Sequence, residues 1–100
     1  MATTVTETFM LEQDEGKTTY PSSANARLQT AISSGAIVSS TKTPIVGGPN
    51  LVTGKARANV VMVYRSAEDK TTFQNASLAD AELQAYIISS NTRKINYTVS

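Results

Sequence analysis

Two helical patterns, 55 residues apart, constrain the fold of this chain more than any other sequence feature. In each pattern, apolar residues recur at positions i, i+4, i+7 and i+8, which places them along one face of a helix. The first set is Ala24, Leu28, Ala31 and Ile32, and the second is Ala79, Leu83, Tyr86 and Ile87. Gly35 and Asn91, residues that tolerate a left-handed backbone, follow the two patterns as stop signals. We therefore predict one helix in each half of the chain.

The segments around these helices also repeat in outline. A Lys-Thr-Thr-aromatic run at residues 17–20 returns at residues 70–73, 53 positions later. Four segments have the alternating or continuously apolar pattern of strands, namely residues 5–11, 36–43, 59–64 and 93–99. The predicted order is therefore β-α-β, a long connection, and then β-α-β.

This order predicts an α+β fold of the ferredoxin-like type, a split β-α-β arrangement in which an antiparallel four-stranded sheet carries two helices on one face. The strands at residues 5–11 and 59–64 would be central. A mainly-β fold is the alternative, because residues 27–32 also alternate between apolar and polar side chains. In that case residues 26–40 would form a hairpin.

One hundred residues is the length of one domain, so we predict a single domain over residues 1–100. The connection at about residues 43–57 is predicted to be an extended loop or arm. It holds three of the five glycines and two of the three prolines in the chain. Its Gly54-Lys55 pair does not form a phosphate-binding loop, because Ala56 stands where that motif has Ser or Thr.

The absence of cysteine and histidine excludes several kinds of chemistry. Without these residues the chain has no disulfide, no catalytic thiol, no Cys/His zinc site and no His-based triad. Glu12, Asp14 and Glu15 are predicted to lie in a solvated turn, and Glu68 and Asp69 in an equivalent second turn. No catalytic constellation remains, so we predict a protein that is not an enzyme and that uses no cofactor or metal.

The net charge of +1 conceals an uneven distribution along the chain. Residues 1–16 carry four acidic residues and no basic one, whereas residues 17–65 carry six basic residues and no acidic one. A nearly neutral total makes nucleic acid an improbable partner. Separated charges allow copies of one chain to bind each other, and an apolar central strand needs protein cover.

The sequence therefore predicts a non-enzymatic structural or interaction subunit that works as a homo-oligomer. A small phage virion component, from a capsid or tail, is the setting that its composition suggests, with other virion subunits as further partners and no membrane. We expect it in a virion or in the cytoplasm, because residues 1–7 lack the basic and apolar regions of a signal peptide. The predicted contact residues are Ile45, Val46, Leu51, Lys55, Arg57, Val61, Val63, Ile95 and Tyr97.

Two alternatives from other functional classes stay open at this stage. One is a small dimeric α+β enzyme or ligand-binding domain, whose chemistry would depend on tyrosine, arginine or carboxylate groups. The other is a regulatory or inhibitory protein that docks on a larger complex. An enzyme would have such groups, with shifted pKa values, in a concave pocket.

Overall fold

A computed structural model describes residues 3–100; Met1 and Ala2, the start of the segment compared with a signal peptide, lie outside the described residues. Within residues 3–100 the chain forms four strands and three helices. They are β1 (Val5–Asp14), α1 (Ser22–Ser34), β2 (Ile37–Pro44), β3 (Lys55–Tyr64), α2 (Ala67–Leu78), α3 (Ala81–Ser90) and β4 (Arg93–Val99). The predicted α+β class is confirmed. The mainly-β alternative is wrong, because most of its proposed hairpin is the helix α1.

The strands form one antiparallel sheet in the order β2-β3-β1-β4. The two central strands are β1 and β3, as predicted, and their register sets Phe9 opposite Val60 and Leu11 opposite Ala58. Both strands are longer than predicted, since β1 continues to Asp14 and β3 begins at Lys55. The extra residues of the two strands pair with each other.

The prediction of two helices is wrong, because the connection between β3 and β4 contains both α2 and α3. Helix α2 is N-capped by Ser66, whose hydroxyl accepts a hydrogen bond from the Asp69 backbone N–H at 3.1 Å and donates one to the Asp69 carboxylate at 2.7 Å. Arg65 reinforces this turn through an ion pair with Asp69 at 2.9 Å. The acidic pair that was predicted to lie in a turn therefore belongs to the first turn of a helix. None of the helices in residues 3–100 combines the length and apolarity needed to span a membrane.

The Lys-Thr-Thr-aromatic repeat has no structural counterpart. Residues 17–20 lie in the loop before α1, whereas residues 70–73 lie inside α2. The difference arises because Ser66 starts a helix upstream of the second copy, whereas α1 starts after the first copy, following Pro21. The first apolar helical pattern corresponds to α1 and most of the second to α3, but Ala79 of the second pattern is the C-cap of α2. Helices α1 and α3 each end at a left-handed residue, Gly35 or Asn91.

The hydrophobic core lies between the sheet and the helices. Its buried centre is Phe9, Leu11 and Val60, against which Tyr20 and Met62 pack. On the same side of β1, the Gln74 side chain in α2 donates to Glu7 at 2.8 Å, and Gln13 donates to the Tyr86 hydroxyl in α3 at 2.7 Å. Because successive strand residues point to opposite faces, the alternate residues of β1 face away from these helices.

Candidate functional site

The side of the sheet opposite these helix contacts is a four-stranded surface that we call the open face. Its members, given by the strand register, are Ser39, Thr41 and Thr43 of β2, Lys55, Arg57, Asn59, Val61 and Val63 of β3, Thr6, Thr8, Met10, Glu12 and Asp14 of β1, and Arg93, Ile95 and Thr98 of β4. Most of them are exposed or half-buried. The open face is thus a broad surface at the centre of the fold.

A short aliphatic strip on the open face, formed by Val61 and Val63 of β3, is flanked by hydroxyl groups. Val61 lies at the middle of β3, between Thr41 on one neighbouring strand and Thr8 on the other. Its side chain is unusual for a central strand, since the residue is 37% exposed. Small β-branched side chains on strands about 4.8 Å apart make an even surface, which is the kind that packs against another sheet.

One end of the open face carries charges that are paired within the subunit. Glu12 lies opposite Arg57 on β3 and Arg93 on β4, and its carboxylate is 2.6 Å from the first guanidinium and 2.8 Å from the second. Lys55 forms a similar pair with Asp14 at 2.7 Å. The hydrogen bond from Arg93 is the main cause of the lowered pKa of Glu12, and that from Lys55 of the lowered pKa of Asp14. Glu12 is only 4% exposed, so the predicted solvated turn is wrong at this residue.

Five of the predicted contact residues share the open face, namely Lys55, Arg57, Val61, Val63 and Ile95. Three others, Ile45, Val46 and Leu51, lie in the loop between β2 and β3. This loop spans residues 45–54, because the outer parts of the predicted arm at residues 43–57 belong to the two strands. The structure therefore divides the predicted contacts between a sheet face and a hairpin end.

Tyr97, the remaining predicted contact residue, lies on the other side of the sheet. The pairing between β1 and β4 shifts by one residue between Thr8 and Met10, and Asn96 at this shift has a φ of 55°. Such a bulge reverses the side to which later residues point, so Ile95 and Tyr97 face opposite ways. Tyr97 stacks on Phe9, with ring centroids 6.1 Å apart. Asparagine is the residue type that tolerates this backbone, which is the one sequence signal for the bulge.

A buried carboxylate that the sequence analysis did not single out lies beneath Tyr97. Glu7 is 1% exposed and accepts hydrogen bonds from Tyr97 at 2.5 Å, from Gln74 at 2.8 Å and from Tyr64 at 3.3 Å. Burial and the neighbouring Glu7 raise the pKa of Tyr64 above its usual value. The carboxylate therefore connects β1 with β3, β4 and α2, and its geometry is that of a structural hydrogen-bond centre.

Two shallow grooves on the described surface share Ala56 in their lining. The first, of about 200 Å³, is lined by Leu11, Gln13, Thr18, Lys42, Pro44, Ala56, Arg57 and Ala58. The second, of about 390 Å³, is lined by Glu15, Ile45, Leu51, Val52, Thr53, Gly54, Lys55 and Ala56. Burial raises the pKa of Tyr20 to about 12, but neither Tyr20 nor any other group with a shifted pKa lines these two grooves. Among residues 3–100 no three acidic side chains cluster as metal ligands would.

A separate polar contact, centred on Asp80, joins α1 to the start of α3. Asp80, the N-cap of α3, accepts hydrogen bonds from Arg27 at 2.7 Å and from Ser23 at 2.9 Å. The hydrogen bond from Arg27, followed by that from Ser23, lowers the pKa of Asp80 to about 2. This contact fixes the position of α1 beside α3 at the far side of the core.

Asp80 is expected to make folding sensitive to acid. Because its pKa is lower in the folded state than in the unfolded chain, its contribution is present above about pH 4 and is lost as the pH falls towards 2. An NMR titration of the side-chain carboxyl carbon should give a midpoint near pH 2, and in Arg27→Ala this midpoint should move up towards the ordinary value. An unchanged midpoint in that variant would contradict the assignment of the shift to Arg27.

The open face gathers more of the predicted contact residues than any other described surface. No protein-family model matches this chain, and no curated protein or solved structure matches it. Eight of the nine predicted contact residues lie on the open face or in the loop between β2 and β3.

Proposed function

We propose that this protein is a non-enzymatic structural subunit that associates with copies of itself through the open face. The observation that carries the proposal is the exposure of Val61 at the middle of a central strand. Half-buried Val63 extends this aliphatic strip along β3, and Ile95 adds a half-buried aliphatic group on β4, opposite Met10. Exposed apolar surface of this kind marks interaction sites. A second sheet packed on the strip would remove it from water.

The charges of the open face favour a second copy as the partner. Glu12 and Asp14 already neutralise cations of the same subunit at one end, so two identical faces can approach without a large like-charge repulsion. In a two-fold interface each patch meets itself, and the open face, with three basic and two acidic side chains, brings a net charge of only +1 to that contact. Aligned sheets pack about 10 Å apart, close enough for the Val61 side chains of two copies to meet.

The proposal includes the wider setting inferred from composition. We propose a ferredoxin-like arrangement with one additional helix, α2, and the strand order β2-β3-β1-β4 supports it. We also propose that the subunit serves in a phage virion, as part of a capsid or tail. Electron microscopy of the concentrated protein tests this setting, because rings, tubes or shells would support it and isolated small particles would contradict it.

The mass of the protein in solution tests self-association directly. We expect sedimentation equilibrium to give a mass above 10.7 kDa, the mass of one chain, that rises from micromolar to submillimolar concentration. A mass of one chain throughout this range would overturn the proposal.

Val61→Lys is expected to weaken this association by at least about tenfold. In a two-fold interface the new ammonium would face its own copy, and the strip would lose its central aliphatic group. Sedimentation equilibrium measures the change, and circular dichroism confirms that the variant is folded.

Ile88→Lys is the matched control, because Ile88 is an exposed apolar residue, 78% accessible, on helix α3 rather than on the sheet. It should associate as the original chain does. Equal effects of the two substitutions would show that general surface hydrophobicity, and not the open face, causes the association.

A further inference from the structure

The loop between β2 and β3, which we call the hairpin end (residues 45–54), exposes more apolar surface than its length requires. Val46 is 89% exposed, Leu51 47% and Val52 38%. Isolated exposed hydrophobic residues are common, but three within one short loop form a patch. The patch lies at the tip of the hairpin, apart from the aliphatic strip of the open face.

The hairpin end is held in one conformation by backbone hydrogen bonds. Ile45 donates to Arg57 at 2.9 Å, Lys55 to Val52 at 3.1 Å, and Glu15 in the neighbouring turn donates to Gly54 at 3.0 Å. Gly54 adopts a φ of 83°, which a residue with a side chain rarely does, so the turn into β3 requires glycine. The apolar side chains are therefore presented on a fixed frame, which lowers the entropy cost of binding.

The same end of the molecule contains apolar side chains that project and grooves that could receive them. The two grooves described above share Ala56, the residue of β3 that follows the hairpin end by two positions. Their apolar lining includes Leu11, Pro44 and Leu51. A projecting side chain beside a groove on one subunit is the arrangement in which two copies can each insert into the other.

The two grooves carry opposite charges that would face each other between two copies of the chain. Glu15 lines one groove and Lys42 the other, and neither has an ion-pair partner among residues 3–100. Lys55 at the hairpin base is already paired with Asp14. A two-fold axis near Ala56 would set Glu15 of each copy towards Lys42 of the other.

We propose that the hairpin end is a second self-association surface, at which two copies exchange Val46 side chains and pair Glu15 with Lys42. This inference rests on the proposed association through the open face. Val61 lies five residues beyond Ala56, about 17 Å along β3, so the centres of the two contacts are separate, although Lys55 and Arg57 of the open face also line the grooves. Two separate two-fold contacts on one subunit join more than two copies, into an open chain or a closed ring according to how the two axes are arranged.

Val46→Asp and Val61→Lys, alone and combined, test this arrangement by light scattering coupled to gel filtration. The original chain should form species of more than two subunits, each single variant should stop at the mass of two subunits, and the double variant at one. Val46 is so exposed that its substitution should leave the fold intact, which a thermal melt checks. Leu78→Asp, at an exposed apolar residue of α2, is the matched control and should assemble like the original chain.

The outcomes separate the two proposals. If Val46→Asp assembles as the original chain does while Val61→Lys reduces the mass of the assembly, this inference is overturned, whereas the open face proposal stands. If Val61→Lys has no effect, the open face proposal is overturned. Exchanging the two charges is an independent test. Glu15→Lys and Lys42→Glu should each weaken assembly, and the variant that carries both substitutions should assemble again. Failure of this rescue would overturn the proposed pairing.

Discussion

Replacing Glu7 with alanine is expected to lower the free energy of unfolding by about 3 kcal/mol, the largest effect of any polar substitution considered for this chain. The side chain is 1% exposed, and its carboxylate receives hydrogen bonds from two elements of the sheet and from α2. Its removal leaves the Tyr64 hydroxyl and the Gln74 amide without their acceptor and opens a cavity beside Phe9. Urea unfolding followed by circular dichroism measures the change.

Two milder variants show which part of the Glu7 contact matters. Tyr97→Phe removes one hydrogen bond at a residue that is 42% exposed, so we expect a loss of about 1 kcal/mol. Glu7→Gln keeps the volume and one acceptor oxygen, so its effect should lie between the other two. A loss in Glu7→Ala no larger than that in Tyr97→Phe would contradict a role for the carboxylate in joining the helix layer to the sheet.

Replacing Glu12 with alanine is expected to lower the free energy of unfolding by about 2 kcal/mol, the second largest effect. The carboxylate is 4% exposed and lies between two guanidinium groups. Without it, Arg57 and Arg93 would face each other across β1 as unpaired like charges. The expected loss in the free energy of unfolding is smaller than that for breaking a fully buried ion pair, because the Arg93 side chain is 63% exposed and water can solvate it.

The control for Glu12 is the loss of its more exposed partner. Arg93→Ala leaves the pair with Arg57 intact, so the expected loss of stability is well below that of Glu12→Ala. Added salt should narrow the difference between the two variants, because it screens the repulsion between the remaining arginines. If Arg93→Ala is as destabilising as Glu12→Ala, the Glu12 carboxylate stabilises the fold only through its exposed ion pair with Arg93, and not by neutralising both arginines.

The helices show which parts of the fold local sequence patterns can predict. The apolar stripes of α1 and α3 are each visible in about two turns of sequence, because a helix repeats every 3.6 residues. Helix α2 has no such stripe. Its local sequence signal is the N-cap serine, Ser66, with Asp69 three residues later.

Part of the candidate site was predictable from sequence, because side chains alternate between the two faces of a strand. Alternation along β3 places Val61 and Val63 on one face, and their exposure follows from a helix layer that covers only the other face. The position of Tyr97 was not predictable by alternation, since one bulged residue, Asn96, reverses the side of every residue after it. Glu12 was also misjudged, because the cations that allow its burial lie 45 and 81 positions away in sequence.

The sequence by itself determined the α+β class, the central position of β1 and β3, and the absence of cysteine and histidine chemistry. These properties follow from composition and from periodicities within a few turns of chain. Only the tertiary structure decided which side of the sheet is left open, how Glu7 and Glu12 are neutralised, and how the predicted contacts divide between the open face and the hairpin end. The physical reason is that burial and charge pairing depend on residues that are distant in sequence, and one bulge or one cross-strand register changes them together.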